Sequence, residues 1–241
     1  EISRRIGKPV KVLWTREEDM RQGRFHPVTQ CKLVGGFDAN NNLTGLHMRI
    51  AGQSILTSVR PEALVNGMDP AVFQGMAPSG EFEFGYNAIP NYLIDHAMRN
   101  PHVPPGFWRA VAHTHNPFFR ESFIDELALA AGKDPFEFRR ALLSKQPRAK
   151  HVLEEVASRA GWGKPEAGHH QGIALMEGYG TYIAQVADIS VTGGKMKVHR
   201  ITCVADCGQM VNPKIVESQI SGAMVYGLSA ALYGAITLQD G

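Results

Sequence analysis

Residues 101–132 read PHVPPGFWRAVAHTHNPFFRESFIDELALAAG, and the stretch changes character halfway along. Pro104, Pro105 and Gly106 hold the first half extended or turning, because proline lacks a backbone N–H and disfavours helix before it. Trp108, Arg109, His113 and His115 follow closely. Asn116-Pro117 predicts a helix start: an asparagine side chain caps exposed N–H groups, and proline at the first helical position loses no hydrogen bond. Phe119, Phe123, Leu127 and Ala130 recur at three- and four-residue spacing and predict the buried face. Gly132 ends the helix. A polar, aromatic loop is thus delivered onto a core-anchored helix, a common way for a fold to present a site.

Each residue of that loop admits two readings. Trp108 beside Arg109 is either a ring packed under a snorkelling cation or a ligand contact. His113 and His115 alternate, and on an extended segment they face one side, so they suggest a metal pair. No third ligand stands at a recognisable spacing, and His102 lies across two prolines from them.

Before this stretch, residues 1–6 read as the last turns of a helix closed by Gly7. At the other end Asp240-Gly241 is a turn signal that normally introduces a further strand. Together they predict an internal piece of a longer chain. Val10, Val12 and Trp14 alternate as in a strand. Thr15 to Glu18 forms a capping box that starts a short helix to Arg21, and Glu17, Glu18 and Asp19 suit a helix's first turn better than acid–base chemistry. Residues 28–38 and 43–51 flank an Asn-rich loop and predict a β-hairpin, with a bulge at Gly35-Gly36. Residues 52–100 show no sustained period. Within them Gly80-Glu81 reads as a loop, Tyr86 to Ile94 as contact with the core, and Leu93, Asp95 and Ala97 as a strand.

After it, Asp134-Pro135 starts a helix through Leu143, and Pro147 starts another that ends at Gly161. Residues 172–191 read as strands with Ile183, Val186, Ile189 and Val191 inside. Gly193-Gly194 turns the chain into residues 196–206. Cap-plus-proline signals interleaved with period-2 stretches predict an α+β fold of small mixed sheets and packed helices. Residues 1–160 make a first part and residues 161–241 the start of a second.

The other informative stretch is residues 206–232, DCGQMVNPKIVESQISGAMVYGLSAAL. Asn212-Pro213 caps a helix whose apolar face is Ile220, Met224, Gly227, Leu228 and Ala231. Gly222 and Gly227 each cost roughly 1 kcal/mol against alanine inside a helix, which points to close approach by a neighbour or ligand. Gln219 is a polar group beside them.

Composition excludes several classes. A formal charge of +2 with scattered basic residues gives no nucleic-acid footprint. No apolar run is long enough for a membrane span, and no signal peptide opens the sequence. Cys31, Cys203 and Cys207 are not a disulfide framework and read as buried thiols.

GFWRAVAHTHNPFFRESFIDELA, GTYIAQVADISV and VADCGQMVNPKIVESQISGAMVYGLSAALYG, in this order, resemble the molybdenum-cofactor-binding subunit of the xanthine dehydrogenase/aldehyde oxidase family. The branch is that of isoquinoline 1-oxidoreductase and related periplasmic aldehyde dehydrogenases. KPVKVLWTREEDM matches the start of the same region. The resemblance implies a molybdopterin-binding fold and a molybdenum–molybdopterin cofactor in its cytosine dinucleotide form. It implies oxidation of an aldehyde or N-heterocycle with water as oxygen source. Electrons would leave through a small [2Fe–2S] subunit, with a cytochrome c as a further partner. The compartment it suggests is the bacterial periplasm, with the cytoplasm as the alternative.

By the same resemblance Gly106, Trp108 and Arg109 match the family's cofactor loop, and Val111 lines the substrate side. Gln219 and Gly222 match the family's asparagine–proline–glutamine–glycine pattern, with Gln219 hydrogen-bonding the cofactor. Where many relatives carry glycine, this chain has Ala110 and Ala112. The family's glycine-rich loop would precede Glu1, and its glutamate general base would follow Gly241. This stretch is therefore expected to supply walls and cofactor contacts, no catalytic residue, and no activity alone. Two rival readings are a metal-dependent hydrolase using His113 and His115, and a noncatalytic subunit-docking module.

Overall fold

The structure, a computed structural model, describes residues 1–76, 86 and 88–239. Among the described residues the chain forms two three-stranded sheets and seven α-helices. In the first sheet β1 (Thr29–Phe37) pairs antiparallel with β2 (Leu43–Gly52), and β3 (Asn91–Met98) joins the other edge of β2 in parallel. The register slips between Gly36 and Phe37, the bulge expected at Gly35-Gly36. Gly35 is there for space as well: a Cβ would lie 2.5 Å from Leu127 Cδ2. The second sheet is a meander of β4 (His170–Gly178), β5 (Thr181–Thr192) and β6 (Lys195–Asp206). Gly193 and Gly194 both take positive φ in the turn between β5 and β6, a conformation in which glycine alone is unstrained.

Helices α4 (Asn116–Ala130), α5 (Pro135–Leu142) and α6 (Pro147–Ala160) join the two sheets. Asp134 caps α5 by accepting from Phe136 and Glu137, and Gly161 closes α6 at φ 65°. Buried residues from both sheets and all three helices form one continuous core that includes Met48, Ile124, Leu153 and Leu175.

The buried face of α4 differs from the sequence expectation. Arg120, Glu121, Ile124, Leu127 and Ala128 are buried, while Phe119 and Phe123 are partly buried at its margin and Ala130 is exposed. Two charges occupy the core because partners distant in sequence satisfy them. Asn116 likewise caps nothing. It is the first residue of α4, and its amide donates to the carbonyls of Val72 (2.8 Å) and Gln74 (2.9 Å). In β5 the buried residues are Tyr182, Ala184, Val186 and Asp188. Ile183 and Ile189 are half-buried and Val191 is exposed, since strand faces alternate with period two.

The two ends depart further. Helix α1 (Ile2–Ile6) closes at Gly7 with φ 66°, and α2 (Arg16–Gln22) is capped by Thr15, both as expected. Residues 9–14 form no strand, and Val10, Val12, Leu13 and Trp14 are exposed, because no strand among the described residues pairs with them. Between β2 and β3 a short α3 (Ile55–Val59) and two 3₁₀ turns carry the crossover. Gly80-Glu81, expected to be a loop, lies outside the described residues. Helix α7 (Pro213–Tyr233) starts where Asn212 accepts from Ile215 N–H, yet none of its residues is buried. The accessible surface, 15306 Å², exceeds the roughly 10,600 Å² of a compact monomer of this mass. The three cysteines are free thiols, half-buried rather than buried.

Candidate functional site

The loop ahead of α4 is built on a short parallel bridge. Phe25 N–H donates to the Pro104 carbonyl (3.1 Å), and Gly106 N–H donates back to the Phe25 carbonyl (2.9 Å). Gly106 is required by that approach, since a Cβ there would lie 2.5 Å from Arg24 Cβ. Beyond it the Trp108 carbonyl accepts from Val111 N–H at 2.8 Å, closing a turn. Ala110 holds the third place with φ 74° and ψ −5°, the geometry a type II turn normally gives to glycine. Val111 follows at φ 52°, rare for a β-branched residue. Two strained residues in succession mark the loop as a place worth testing for function.

Arg109 projects from this turn and is exposed. It makes no ion pair among the described residues. Its guanidinium carbon lies 5.0 Å from the ring centroid of Tyr226 on α7, and the Trp108 ring is also 5.0 Å from Tyr226, tilted by 34°. On the other side the His26 ring meets Trp108 edge-on at 5.5 Å. His26 Nε2 and His115 Nδ1 share a hydrogen bond of 3.1 Å. Burial pulls the His115 imidazole down to about 4, with His26 beside it adding to the effect. Burial lowers His26 also, against backbone hydrogen bonds that oppose the shift.

His113 and His115 do not converge. Residues Val111–His113 form a 3₁₀ turn rather than an extended segment, so the alternation argument fails. His113 turns to Tyr179, with ring centroids 5.1 Å apart, while His115 turns to His26. No cluster of three or more metal-ligating side chains occurs among the described residues. The hydrolase reading loses its geometric basis here.

Val111 lines a cavity of ≈20 Å³ with Ile50, Val72, His96 and His115, room for one water. A wider cleft of ≈490 Å³ runs between Met20 and Arg21 of α2, residues 102–104 and residues 235–239. On α7, Gln219 and Gly222 are exposed, and a Cβ on Gly222 or Gly227 would meet nothing within 4 Å. No neighbour among the described residues explains those glycines. At 100° per residue, Gln219, Gly222 and Tyr226 fall within about 60° of arc, so all three share the face that Tyr226 presents to Arg109. The structure thus brings Trp108 and Arg109 to α7 and shows no contact between Arg109 and Gln219.

Residues 2–143 match one molybdopterin cofactor-binding domain family, and residues 124–241 match a second. The chain belongs to the molybdopterin cofactor-binding domains. It is 27% identical to the beta chain of isoquinoline 1-oxidoreductase from Brevundimonas diminuta, over 100% of this chain and 31% of that protein. It is 29% identical to a component of nicotinate dehydrogenase from Pseudomonas putida, over 99% of this chain and 22% of that one. A membrane-bound aldehyde dehydrogenase of Gluconacetobacter polyoxogenes, whose name carries pyrroloquinoline quinone, is 27% identical over 98% of this chain and 33% of its own length. The chain therefore spans about a third or less of these relatives.

The residues of this molybdopterin-binding chain fit such a group in charge and in space. A molybdopterin carries phosphate, and Arg109 offers an exposed guanidinium with no carboxylate partner among the described residues, its carbon 5.0 Å from the centre of the Tyr226 ring. Gly222 leaves the facing helix surface bare. Sequence reasoning missed Tyr226 and His26. A tyrosine four residues after Gly222 in a run of small residues was the available signal for the first. For His26 there was none, because its partners come from a distant segment.

Proposed function

We propose that this chain forms one wall of the cofactor site of a molybdenum oxidoreductase acting on an aldehyde or N-heterocycle, as part of a longer protein. The observation that carries the reading is Arg109, without an ion-pair partner among the described residues, on a strained turn and facing α7, in a chain whose family is defined by molybdopterin binding. Bound there, the cofactor supplies a two-electron oxidation of the substrate carbon, with water as oxygen source.

The chain's own groups do the holding. The N–H edge of Arg109 grips an anionic group of the cofactor, and Trp108 walls its side. Gln219 hydrogen-bonds it from α7, Gly222 leaves the room a side chain would take, and Gly106 keeps the loop against Arg24. Val111 borders the substrate. No residue among these takes the role of general base.

The finer assignments belong to the same proposal. The cofactor is the cytosine dinucleotide form. Electrons pass to a [2Fe–2S] partner and from there to a cytochrome c, and the compartment is the periplasm. No helix among the described residues is long and apolar enough to cross a membrane. The boundary between the two cofactor-binding parts falls at residues 160–161, where α6 closes.

The experiment is metal, pterin and quinone analysis of the full-length enzyme. It is paired with turnover of an aldehyde and an N-heterocycle against an artificial acceptor. Stoichiometric molybdenum that falls in Arg109→Ala, at unchanged expression, is the expected result. A preparation holding pyrroloquinoline quinone and no molybdenum would overturn the reading.

A further inference from the structure

We infer that Tyr226 is a positioning residue: it fixes the Arg109 guanidinium against α7 and thereby sets the spacing between the two halves of the cofactor wall. The inference rests on the cofactor reading above. Helix α7 has no buried residue, and Gly222 and Gly227 face open space, so core packing does not set the angle of the helix. Tyr226 makes both ring contacts described between α7 and residues 106–111, to Trp108 and to Arg109.

An exposed arginine on a stiff turn has a fixed backbone and a loose side chain. Ala110 and Val111 at positive φ fix the first. Laying the planar guanidinium on an aromatic face removes rotamer freedom that ligand binding would otherwise have to remove, and keeps the donor edge available. Trp108 is itself held edge-on by His26, which is bonded to His115 at the start of α4. Contacts therefore run unbroken from the core-anchored α4 to α7. Tyr226 lies about two turns, roughly 10 Å, along α7 from Gln219 on the same face. Seating Tyr226 on Arg109 therefore also sets where Gln219 stands relative to the loop.

The test uses the full-length enzyme with Tyr226→Phe, Tyr226→Leu, Arg109→Lys and the Leu/Lys double variant. Tyr226→Met replaces Tyr226→Leu if the latter does not express. Molybdenum per protein, its rate of loss on incubation, and the paramagnetic signature of the half-reduced metal are read beside the unfolding temperature of the metal-free protein. Tyr226→Phe keeps the ring and retains cofactor like the wild type. Tyr226→Leu and Arg109→Lys lose cofactor about tenfold faster at unchanged unfolding temperature, and the double variant is no worse than the poorer single. A molybdenum-containing wild type with an unaffected Tyr226→Leu, or losses that multiply in the double variant, overturns this inference alone. A molybdenum-free wild type overturns the cofactor reading and this inference with it.

Discussion

Glu121 of α4 and Arg139 of α5 meet at 2.9 Å, with Arg139 fully enclosed and Glu121 only 5% exposed. The same carboxylate takes Arg120 Nε at 3.0 Å, the Tyr86 hydroxyl at 2.9 Å and the Leu175 N–H at 3.0 Å. Burial alone would raise the Glu121 carboxyl, but the two guanidiniums hold it below its ordinary range. Arg120 also donates to the carbonyls of Gly75 and Leu175. One carboxylate therefore ties α4 and α5 to β4 and to Tyr86.

Removing the carboxylate of this cluster leaves two guanidiniums in the core without the charge they share, whereas removing Arg139 leaves Glu121 on Arg120. Glu121→Gln is expected to cost about 3–5 kcal/mol. The measurement is urea unfolding, and an unchanged midpoint would show that water reaches the site. Replacing the pair together as Glu121→Gln with Arg139→Met is expected to cost less than the sum of the two singles, because neither then strands the other.

Buried imidazoles near the loop contribute to the pH dependence of stability. Burial lowers His26, His113 and His115, with Arg120 adding to the effect at His113 and His115 reaching about 4. A neutral buried imidazole binds fewer protons than the same group unfolded, so stability rises with pH between these values. The contribution is fully present above about 6.5 and is lost as pH falls towards 4. His115 alone should account for about 1–3 kcal/mol across that window. Unfolding midpoints at pH 7.5 and pH 5, compared with those of His115→Gln, measure it. The variant should flatten the difference, and equal slopes in both proteins would discard the assignment.

The turn at Ala110 gives a prediction of opposite sign. An alanine at φ 74° carries strain that glycine does not, and the family resemblance places glycine there. Ala110→Gly relieves roughly 1–2 kcal/mol in the folded state and gains unfolded-state entropy that offsets part of it. A net stabilisation of up to about 1 kcal/mol is expected. A destabilised Ala110→Gly protein in a thermal melt would mean that the strain is not stored at this residue.

What the sequence made legible was local, and what it hid was held from afar. Asp134, Asn212, Gly161 and the Gly193-Gly194 turn behave as read because a cap or a positive φ involves only near neighbours. Arg120 and Glu121 were invisible because Leu175, Gly75 and Tyr86 bury them. Val10 and Val12 alternate correctly for a strand, but a strand needs a partner. At the site, Arg109 and Gln219 stood out in their local patterns but took cofactor roles only through the resemblance, and Tyr226 emerges only once α7 is laid beside the loop.

The glycines of α7 separate helix energetics from ligand binding. With nothing within 4 Å of an added Cβ, Gly222→Ala and Gly227→Ala strike no atom of the described residues. Each should raise helix stability by up to about 1 kcal/mol through propensity alone. If α7 faced only solvent, both variants would be more stable and otherwise unchanged. If the Gln219–Gly222–Tyr226 face carries the cofactor, Gly222→Ala intrudes on it, while Gly227, about 140° round the helix from Gly222, does not. Full-length Gly222→Ala should then bind less molybdenum while Gly227→Ala keeps the wild-type content. Metal analysis of the two variants side by side decides the matter, and equal molybdenum in both would remove Gly222 from the cofactor wall.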